Sequence, residues 1–307
     1  MTYYNKTSKD LILARPLPPS LGFSENPWVN IGELKNSGLE MALNAQVVSL
    51  DNFGWDARLN VTTNKNEVTD LGDVPAFGTT TRVVEGYPAN GWWTQTVRSY
   101  DLAGGDVTKQ KAVVSDTMEY IGPPNPTLEG NFNSTFTFFN ALRVYVQFDF
   151  MDNFILYNNT DQFRERQFGQ GERWVRRFDP TFTTDAAGKE WTAEERMARF
   201  GPFVNERTGA AVLSSAVNGA YFQDASHVRF REISVSYTVP RDLARRVGAT
   251  SAVLTVGGRN LKVWTDYQGA DPEALWGGGG DAAEFARQDF LTLPQTRRFL
   301  ARLNLTF

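Results

Sequence analysis

The side chains best suited to chemistry lie around the single histidine of this 307-residue sequence. His227 directly follows Ser226, and Asp224 precedes both of them. Serine, histidine and aspartate form the triads of many hydrolases, in which the histidine takes the proton of the serine hydroxyl. Adjacent side chains of a strand point to opposite faces, so Ser226 and His227 cannot readily meet in this way. We therefore expect no catalytic residues and no enzymatic activity.

Acidic side chains form a second candidate group. Asp266, Asp271 and Glu273 carry the oxygen ligands that a hard cation such as calcium prefers. Their spacing differs from that of an EF-hand loop. The chain has no cysteine for a thiolate site or a disulfide, and one histidine cannot form a histidine-based metal cluster. We expect neither a bound metal ion nor another cofactor.

Segments of alternating polarity must position these residues, and the last ten residues show the pattern clearly. The side chains at positions 299, 301, 303, 305 and 307 are apolar, whereas Arg298, Arg302 and Asn304 occupy the opposite parity. Alternation of this kind predicts a strand with one apolar face. The segment has about the length of a tilted strand that crosses a bilayer, roughly 9–11 residues. A half-buried strand of a soluble sandwich has the same pattern, so this segment alone leaves both structures open.

The sequence contains about eight such strands. Their connections are short near residues 51–54, 139–141 and 240–249, and long near 15–30, 64–127, 157–220 and 266–290. Short turns at one end and long loops at the other are typical of an antiparallel transmembrane β-barrel. A Greek-key sandwich would not separate its loop lengths so cleanly. The apolar residues also change parity between Phe230 and Ile233, which predicts a β-bulge.

Five polar residues on the predicted strands share the face opposite the apolar side chains. They are Arg143, Gln147, Asp149, Arg229 and Arg231. An arginine that faces lipid at the middle of a bilayer costs about 2–4 kcal/mol, whereas the lumen of a barrel is polar. We therefore expect these five side chains to face the lumen.

Aromatic residues fall into two groups. Trp92, Trp93, Trp191 and Trp276 lie in predicted connections, where such rings can bind a ligand, contact a partner protein or anchor loops to each other. The sequence leaves these roles open. Aromatic residues near strand ends are typical of the girdles at the two membrane interfaces. We assign this role to Tyr120, Phe150, Tyr237 and Trp264.

Composition limits the class of protein further. The net charge of −4 provides no basic field for nucleic acid. No apolar run is long enough for a membrane-spanning helix, and no apolar signal-peptide core follows Met1. An outer-membrane protein needs such a signal, so on the barrel interpretation we expect the chain to begin partway through a longer protein.

Five stretches, in order along the chain, resemble one protein family. The first is IGELKNSGLE at 31–40, and the second is YIGPPNP at 120–126 followed by the hairpin strand at 131–139. The third is DASHVRFREISVSY at 224–237, and the fourth is GRNL at 258–261 with WTDY at 264–267 and GADPE at 269–273. The fifth is ARLNLTF at 301–307. Together they are similar to motifs of the SusC/RagA family of TonB-linked outer-membrane transporters.

The resemblance implies that residues 1–307 are the C-terminal part of a β-barrel domain, without the plug domain, the TonB box and the signal peptide. The fold would then be a partial barrel with long extracellular loops and short periplasmic turns, in the cell outer membrane of a Gram-negative-type bacterium. The whole protein would take up a large nutrient such as an oligosaccharide or a peptide. A stand-alone small outer-membrane barrel and a soluble glycan-binding β-domain remain the alternatives.

The resemblance also implies partners. These are a SusD-like surface lipoprotein, the TonB complex acting through the missing N-terminal part, the barrel-assembly machinery and outer-membrane lipid, with no nucleic acid. The terminal strand would be the signal that the assembly machinery reads, carried by Phe299, Leu303, Leu305 and Phe307. An exposed strand edge is a ready template for pairing with another strand, which agrees with this role.

Overall fold

One large antiparallel sheet, the main sheet, dominates the structure. The computed structural model describes residues 1–10, 12–14, 20, 27–30, 32–78, 80–101, 104, 111–164, 184, 188–192, 195, 221–276 and 287–307. The strands of the main sheet are β1 (Thr2–Lys9), β2 (Glu33–Ser49), β3 (Phe53–Asp70), β4 (Leu128–Phe138), β5 (Leu142–Asp152), β6 (His227–Thr238), β7 (Ser251–Thr265) and β8 (Arg298–Thr306).

Each strand of the main sheet pairs antiparallel with the next one along the chain, so the sheet is a simple meander. The two outermost strands, β1 and β8, each have one partner, and the sheet does not close on itself. The predicted all-β, antiparallel, partial barrel of about eight strands is therefore confirmed. The predicted long connections at 15–30, 157–220 and 266–290 fall in part outside the described residues.

The long β2–β3 hairpin departs from the expectation. We expected a connection to begin at residue 64, but β3 continues to Asp70. Beyond Thr63, which pairs with Leu128, β3 has moved past the end of β4. Loop backbone takes the place of β4 there, since Val68 N donates to Tyr87 O at 2.9 Å. Polar residues occupy both faces of this stretch, so it lacks the alternation that marks the other strands.

The register aligns side chains of like polarity across the sheet. One row of neighbouring partners is apolar: Trp55, Phe136, Val144, Val235, Val256 and Ala301. A row on the other side is polar: Asn44, Arg58, Asn133, Gln147, Glu232 and Arg259. These two sides are the apolar face and the polar face of the main sheet. The apolar face is largely uncovered, and Leu43, Leu254 and Phe299 are among its exposed residues.

The β-bulge predicted between Phe230 and Ile233 is present. Gln147 of β5 pairs with Glu232, and the next residue, Phe148, pairs with Phe230. Arg231 is thus the extra residue of β6, and the register to β7 shifts at the same place. A bulge bends its strand and re-aims the extra side chain.

Most of the buried apolar residues lie outside the main sheet, in the described parts of the connections at 71–127, 153–226 and 266–297, here the loop layer. One cluster contains Trp92, Tyr157 and Tyr221, and a second contains Phe154, Leu156, Ala225 and Tyr267. The loop layer also contains nine short strands among its described residues. They are Phe77–Gly78, Thr81–Val83, Gly91–Thr94, Val97–Asp101, Lys111–Val114, Glu119–Gly122, Ile155–Asn158, Phe222–Asp224 and Gln288–Asp289.

The remaining described elements are small. Ile12–Ala14 pairs with Trp28–Asn30 in the first long connection. Helix α1 (Asn159–Phe163) is capped by Asn158, whose side chain accepts from Asp161 N at 3.0 Å. Helix α2 (Arg241–Arg245) lies between β6 and β7, where Ala244 packs with Ala249 and Ala252. Within the described residues, no helix is both long and apolar enough to span a membrane.

Candidate functional site

The polar face carries a group of six ionisable side chains at the end where the long connections emerge, here the charged network. Its members are Asp149, His227, Arg229, Arg231, Asp271 and Glu273. Alternate residues point to one face of a strand, which brings His227 and Arg229 of β6 to the same side. The acidic partners Asp271 and Glu273 come from the connection between β7 and β8. The network therefore fastens this connection to the sheet.

Arg229 and Asp271 form the buried centre of the charged network. Both side chains are 3 % exposed, and the guanidinium of Arg229 donates to Asp271 Oδ1. Arg229 Nε also lies 3.2 Å from Glu273 Oε1. Asp271 in turn accepts from Glu273 N at 3.0 Å and from Gln295 N at 3.0 Å, so it organises its own loop. Buried charges require such partners, because an unpaired ion in a protein interior is costly.

Arg231 extends the charged network across the sheet. Its guanidinium donates to Asp149 Oδ2 at 2.5 Å and to Glu273 Oε1 at 2.6 Å. It also donates to Asn260 Oδ1 at 3.1 Å and to Gln295 Oε1 at 3.0 Å. The bulge is what allows this reach, because it turns Arg231 out of the regular alternation. One side chain thus joins β5, β6, β7 and the last long connection.

His227 is fully buried between two acceptors. Its Nδ1 lies 2.8 Å from Ala225 O, and its Nε2 lies 3.1 Å from Glu273 Oε1. A carbonyl and a carboxylate are both hydrogen-bond acceptors, so the ring donates from a nitrogen that carries a proton. His227 thus links the residue just before β6 to the last long connection.

Glu273 is the carboxylate on which the basic side chains converge. Burial alone would raise the pKa of Glu273, but hydrogen bonds from His227 and Arg231 and the charge of Arg229 lower it to about 2. The carboxylate therefore stays ionised at neutral pH and keeps its three basic neighbours paired. In the loop layer, burial and the nearby carboxylate of Asp289 raise the pKa of Tyr267 well above its ordinary value.

A hydrogen-bonded ladder continues from the charged network along the polar face. Gln147 Nε2 donates to Asp149 Oδ1 at 2.8 Å, and Tyr145 OH lies 2.9 Å from Gln147 Oε1. Tyr145 OH also lies 3.0 Å from Asn133 Oδ1. The five residues expected to face a lumen are all on strands β5 and β6. Arg229 and Arg231 are engaged in the charged network, whereas Arg143 is exposed near the short-turn end.

The tryptophans of the connections lie in different surroundings. Trp92 is 1 % exposed and donates from Nε1 to Ile155 O at 2.8 Å, which ties two long connections together. Trp93 is 8 % exposed and packs on Tyr87 and Tyr120 with ring centroids 4.9 Å and 5.7 Å away. This packing favours loop anchoring over ligand contact for both tryptophans.

Trp276 and Trp191 are only partly buried. Trp276 packs edge-on against Phe290 at a centroid distance of 5.8 Å. Of the residues assigned to the membrane girdles, Tyr237 and Trp264 lie exposed on the apolar face. Tyr120 lies instead in the loop layer, where its ring packs at a tilt against that of Tyr87 with the centroids 4.9 Å apart.

The terminal strand β8 presents its apolar side chains to the outside. Phe299 is 79 % and Phe307 is 78 % exposed, and Leu303 and Leu305 are exposed on the same side. The strand pairs with β7 along one edge only. It thus offers both a free backbone edge and an uncovered apolar face.

Sequence reasoning missed the pairing that builds the charged network. Asp271 and Glu273 were weighed as cation ligands, but they bind the arginines of β6. Among the described residues, no group of three histidines, cysteines or carboxylates could hold a metal ion. The sequence does contain one usable signal. Basic residues occupy the alternate positions 227, 229 and 231, and acidic residues occupy the alternate positions 271 and 273 of the connection that follows β7.

Comparisons with known proteins agree with this architecture. A TonB-dependent receptor of Formosa agariphila is 27% identical over an alignment that covers 100% of this chain and 32% of the relative. TonB-dependent receptor SusC of Bacteroides thetaiotaomicron is 24% identical, with 99% of this chain and 29% of the relative covered. The solved structure of the RagAB peptide transporter matches with a TM-score of 0.72 and 19% identity, over 99% of this chain and 33% of that chain.

The chain is similar over its whole length to TonB-dependent receptors of the SusC/RagA type. It spans about a third of the length of the curated relatives it matches. No family model matches it. The RagAB likeness supports the fold of this chain, and the relatives are receptors and transporters rather than enzymes, as expected from the sequence.

Proposed function

We propose that the chain is the C-terminal barrel wall of an outer-membrane, TonB-dependent importer of a large nutrient such as an oligosaccharide or a peptide. The observation that carries this proposal is the inverted polarity of the main sheet. Large apolar side chains such as Leu254, Val256 and Phe299 are exposed on one face, while hydrogen-bonded polar rows cover the other. Such a sheet suits lipid on one side and a water-filled passage on the other.

The wall has a passive role in this mechanism. Its polar face would line the path of the substrate, and the charged network would keep the last long connection fixed while substrate passes. The loop layer, with its own buried clusters, offers a firm surface for a SusD-like lipoprotein lid. Energy coupling by the TonB complex would act through parts of the receptor outside this chain. SusC and RagAB among the matches support both partners.

Site-directed spin labelling tests the membrane position, and the absence of cysteine makes it simple. Single cysteines replace Val256 on the apolar face and its neighbour Thr255 on the polar face, and Leu293 serves as a water-exposed reference. In outer membranes, we expect a label at 256 to collide with oxygen dissolved in lipid and labels at 255 and 293 to collide with a water-soluble nickel complex. Water access at both 255 and 256 would favour the soluble glycan-binding domain instead.

The terminal strand supplies a test of assembly. Phe307→Ala should lower the amount of chain recovered in the outer membrane, because the assembly machinery would read the exposed aromatic end of β8. Replacing the exposed Phe139, in a turn between β4 and β5, is the matched control. Equal losses for the two variants would argue against a special role of the terminus.

A further inference from the structure

A notch opens at the long-connection end of the main sheet, where β4 has ended and β3 continues. Its volume is about 740 Å³. Three segments form most of its lining: residues 64–66 of β3, 86–90 and 120–127. Asn64 N donates to Thr127 O at 2.9 Å, and Val68 N donates to Tyr87 O at 2.9 Å. The backbone of β3 therefore holds one loop segment at each end of the notch. Asn64 has the parity of Arg58, so its side chain belongs to the polar face.

Two tyrosines form the aromatic part of the notch. The rings of Tyr87 and Tyr120 pack at a tilt with their centroids 4.9 Å apart, and the buried Trp93 packs against both. Gly91 leaves the space for Tyr120, because a side chain at this position would begin 2.7 Å from Tyr120 Cε2. Tyr87 is 37 % exposed, so a ligand can reach its ring. Both rings are fixed in advance, which lowers the cost of ordering them when a ligand binds.

Amide side chains form the polar part of the notch. Asn66 is bound on two sides, since its Nδ2 donates to Asn36 Oδ1 at 2.7 Å and its Oδ1 accepts from Ala89 N at 2.9 Å. Asn90 and Asn125 line the notch and are exposed. Neither of these two side chains has a hydrogen-bond partner among the described residues. An amide both donates and accepts, so each of them can bind a hydroxyl group in either direction.

The notch carries little charge. Of the described residues that line it, Lys65 is the only one with a full charge, and its Nζ is paired with Glu67 Oε2 at 2.5 Å. An anionic ligand would have to compete with Glu67 for this ammonium, and a cationic ligand would find no carboxylate in the lining. Burial and the neighbouring Tyr87 raise the pKa of Tyr120, so its hydroxyl stays protonated at neutral pH. The lining therefore favours a neutral ligand that has both hydroxyl groups and apolar C–H faces.

We infer that the notch is a subsite for one neutral sugar unit of an oligosaccharide. The C–H face of the sugar ring packs on Tyr87 and Tyr120. Its hydroxyl groups bind the amides of Asn90 and Asn125. An extended peptide fits less well, because it would need a run of free backbone groups on a strand edge, and this edge of β3 is already bonded to both loop segments. As part of an import path, the subsite rests on the proposed function and narrows the nutrient to a neutral oligosaccharide.

Saturation-transfer NMR on the full chain, purified from outer membranes in detergent, tests the subsite, since this method detects weak binding. The neutral probes are β-1,4-linked hexamers of glucose, mannose, galactose and xylose. The chitosan hexamer is the charged counterpart of the glucose hexamer, and an end-blocked hexapeptide of glycine and serine is the peptide probe. We expect at least one neutral hexamer to bind, and the chitosan hexamer and the peptide to bind at least about tenfold more weakly than that hexamer.

Three variants locate the bound sugar. Tyr87→Ala should weaken binding of the neutral hexamer about tenfold, whereas Tyr87→Phe keeps the ring and should retain most of it. Asn125→Ala should weaken binding about threefold to tenfold through the loss of hydrogen bonds. Asn125 is exposed and its side chain has no partner among the described residues, so this change leaves the packing of the loop intact. Asn304→Ala, at an exposed position of β8 outside the notch, is the matched control and should bind like the parent chain.

The possible failures differ from one another. If no neutral hexamer binds, or if Tyr87→Ala and Asn125→Ala both bind like the parent chain, the subsite is wrong while the spin-label result still supports the barrel wall. Equal binding of the chitosan hexamer or of the peptide overturns the assignment to a neutral sugar. Water access on both faces in the spin-label experiment overturns the proposed function instead. Binding of a neutral hexamer that depends on Tyr87 would then still establish the sugar site, in a glycan-binding domain.

Discussion

The main sheet and the loop layer treat apolar side chains in opposite ways. The sheet leaves Leu43, Leu254 and Phe299 exposed, although it contains the longest and most regular elements of the chain. The loop layer consists of short strands, yet it buries Trp92 and Phe154 almost completely. Burial stabilises a protein in water by about 25 cal/mol for each Å² of apolar surface removed. The loop layer therefore has the core expected in water, and the sheet has a surface suited to lipid.

The two regions also use different forces to hold their shape. The six inner strands of the main sheet satisfy their backbone by pairing with their chain neighbours on both sides, which works equally well in lipid, whereas β1 and β8 pair on one side only. The loop layer depends on contacts between segments far apart in sequence, such as Trp92 with Ile155 and Arg229 with Asp271. The sheet should thus tolerate single changes of side chain that keep the polarity of each face, and the loop layer should be sensitive to single changes of its buried side chains.

The largest effect should follow from Glu273→Ala. It leaves His227, Arg229 and Arg231 without a shared carboxylate in a buried setting, and breaking a buried ion pair costs about 3–5 kcal/mol. Hydrogen exchange of the amides at 266–276 should show the loss locally, while the strands β2 to β5 keep their protection. Loss of protection across the whole sheet would contradict the division into two regions.

The next effect should come from a charge on the apolar face. Ile233→Arg places a guanidinium on the face of β6 that carries Val235, and in a bilayer this costs up to about 2–4 kcal/mol. Ser234→Arg, one position on and facing the polar side, is the matched control. Urea titration of both variants in lipid vesicles measures the difference. If the two arginines were equally tolerated, the apolar face would not be in lipid.

A smaller effect should appear on acidification. The pKa of Glu273 is lowered from 4.5 to about 2, so its stabilising contribution is complete above pH 4.5 and is lost as the pH falls towards 2. A protonated carboxyl group can still accept a hydrogen bond, which makes this loss smaller than that of Glu273→Ala. Proteolysis of the loop layer at decreasing pH, with an acid-stable protease, should show the change. Glu273→Gln should remove this part of the pH dependence, and an unaltered profile would rule out Glu273 as its source.

The smallest effect should come from Glu232→Gln. Glu232 accepts from Arg259 Nε at 2.8 Å on the polar face, and the Arg259 side chain is largely exposed. Exposed ion pairs contribute about 0–1 kcal/mol and weaken with salt. Thermal unfolding at low and high salt should differ little between this variant and the parent chain. A loss as large as that of Glu273→Ala would show that burial is not what separates the two pairs.

Alternation was sufficient to predict the main sheet. The parity of residues such as Val144, Val235 and Leu303 reports directly on which face they occupy, because a strand has a fixed period of two. Even the bulge at Arg231 was visible as a change of parity. The end of β3 was missed because residues 64–70 are polar on both faces, which leaves no alternation to detect.

The loop layer and the charged network could not be predicted in the same way. Arg231 and Glu273 are separated by 42 positions, and nothing local in either segment fixes their distance. The strands of the loop layer have two to five residues, too few for a period to show. The sequence around Trp92 and Trp93 did not indicate that they would be buried, because a tryptophan in a loop can either anchor the loop or form part of a binding surface.

The part of the β2–β3 hairpin that extends past the end of β4, here the overhang, determines how far this hairpin projects beyond β4. Residues 64–70 of β3 continue past the end of β4, and a strand rises about 3.3 Å per residue, so the overhang is about 23 Å long. In a membrane the open end of this hairpin, with β1 paired beside β2 up to Glu33, would extend that far beyond the end of β4. A partner protein that rests on this open end would be held that far above the level at which β4 ends. An antibody against residues 66–70 should therefore reach its epitope on intact cells and lose access when a partner covers this end.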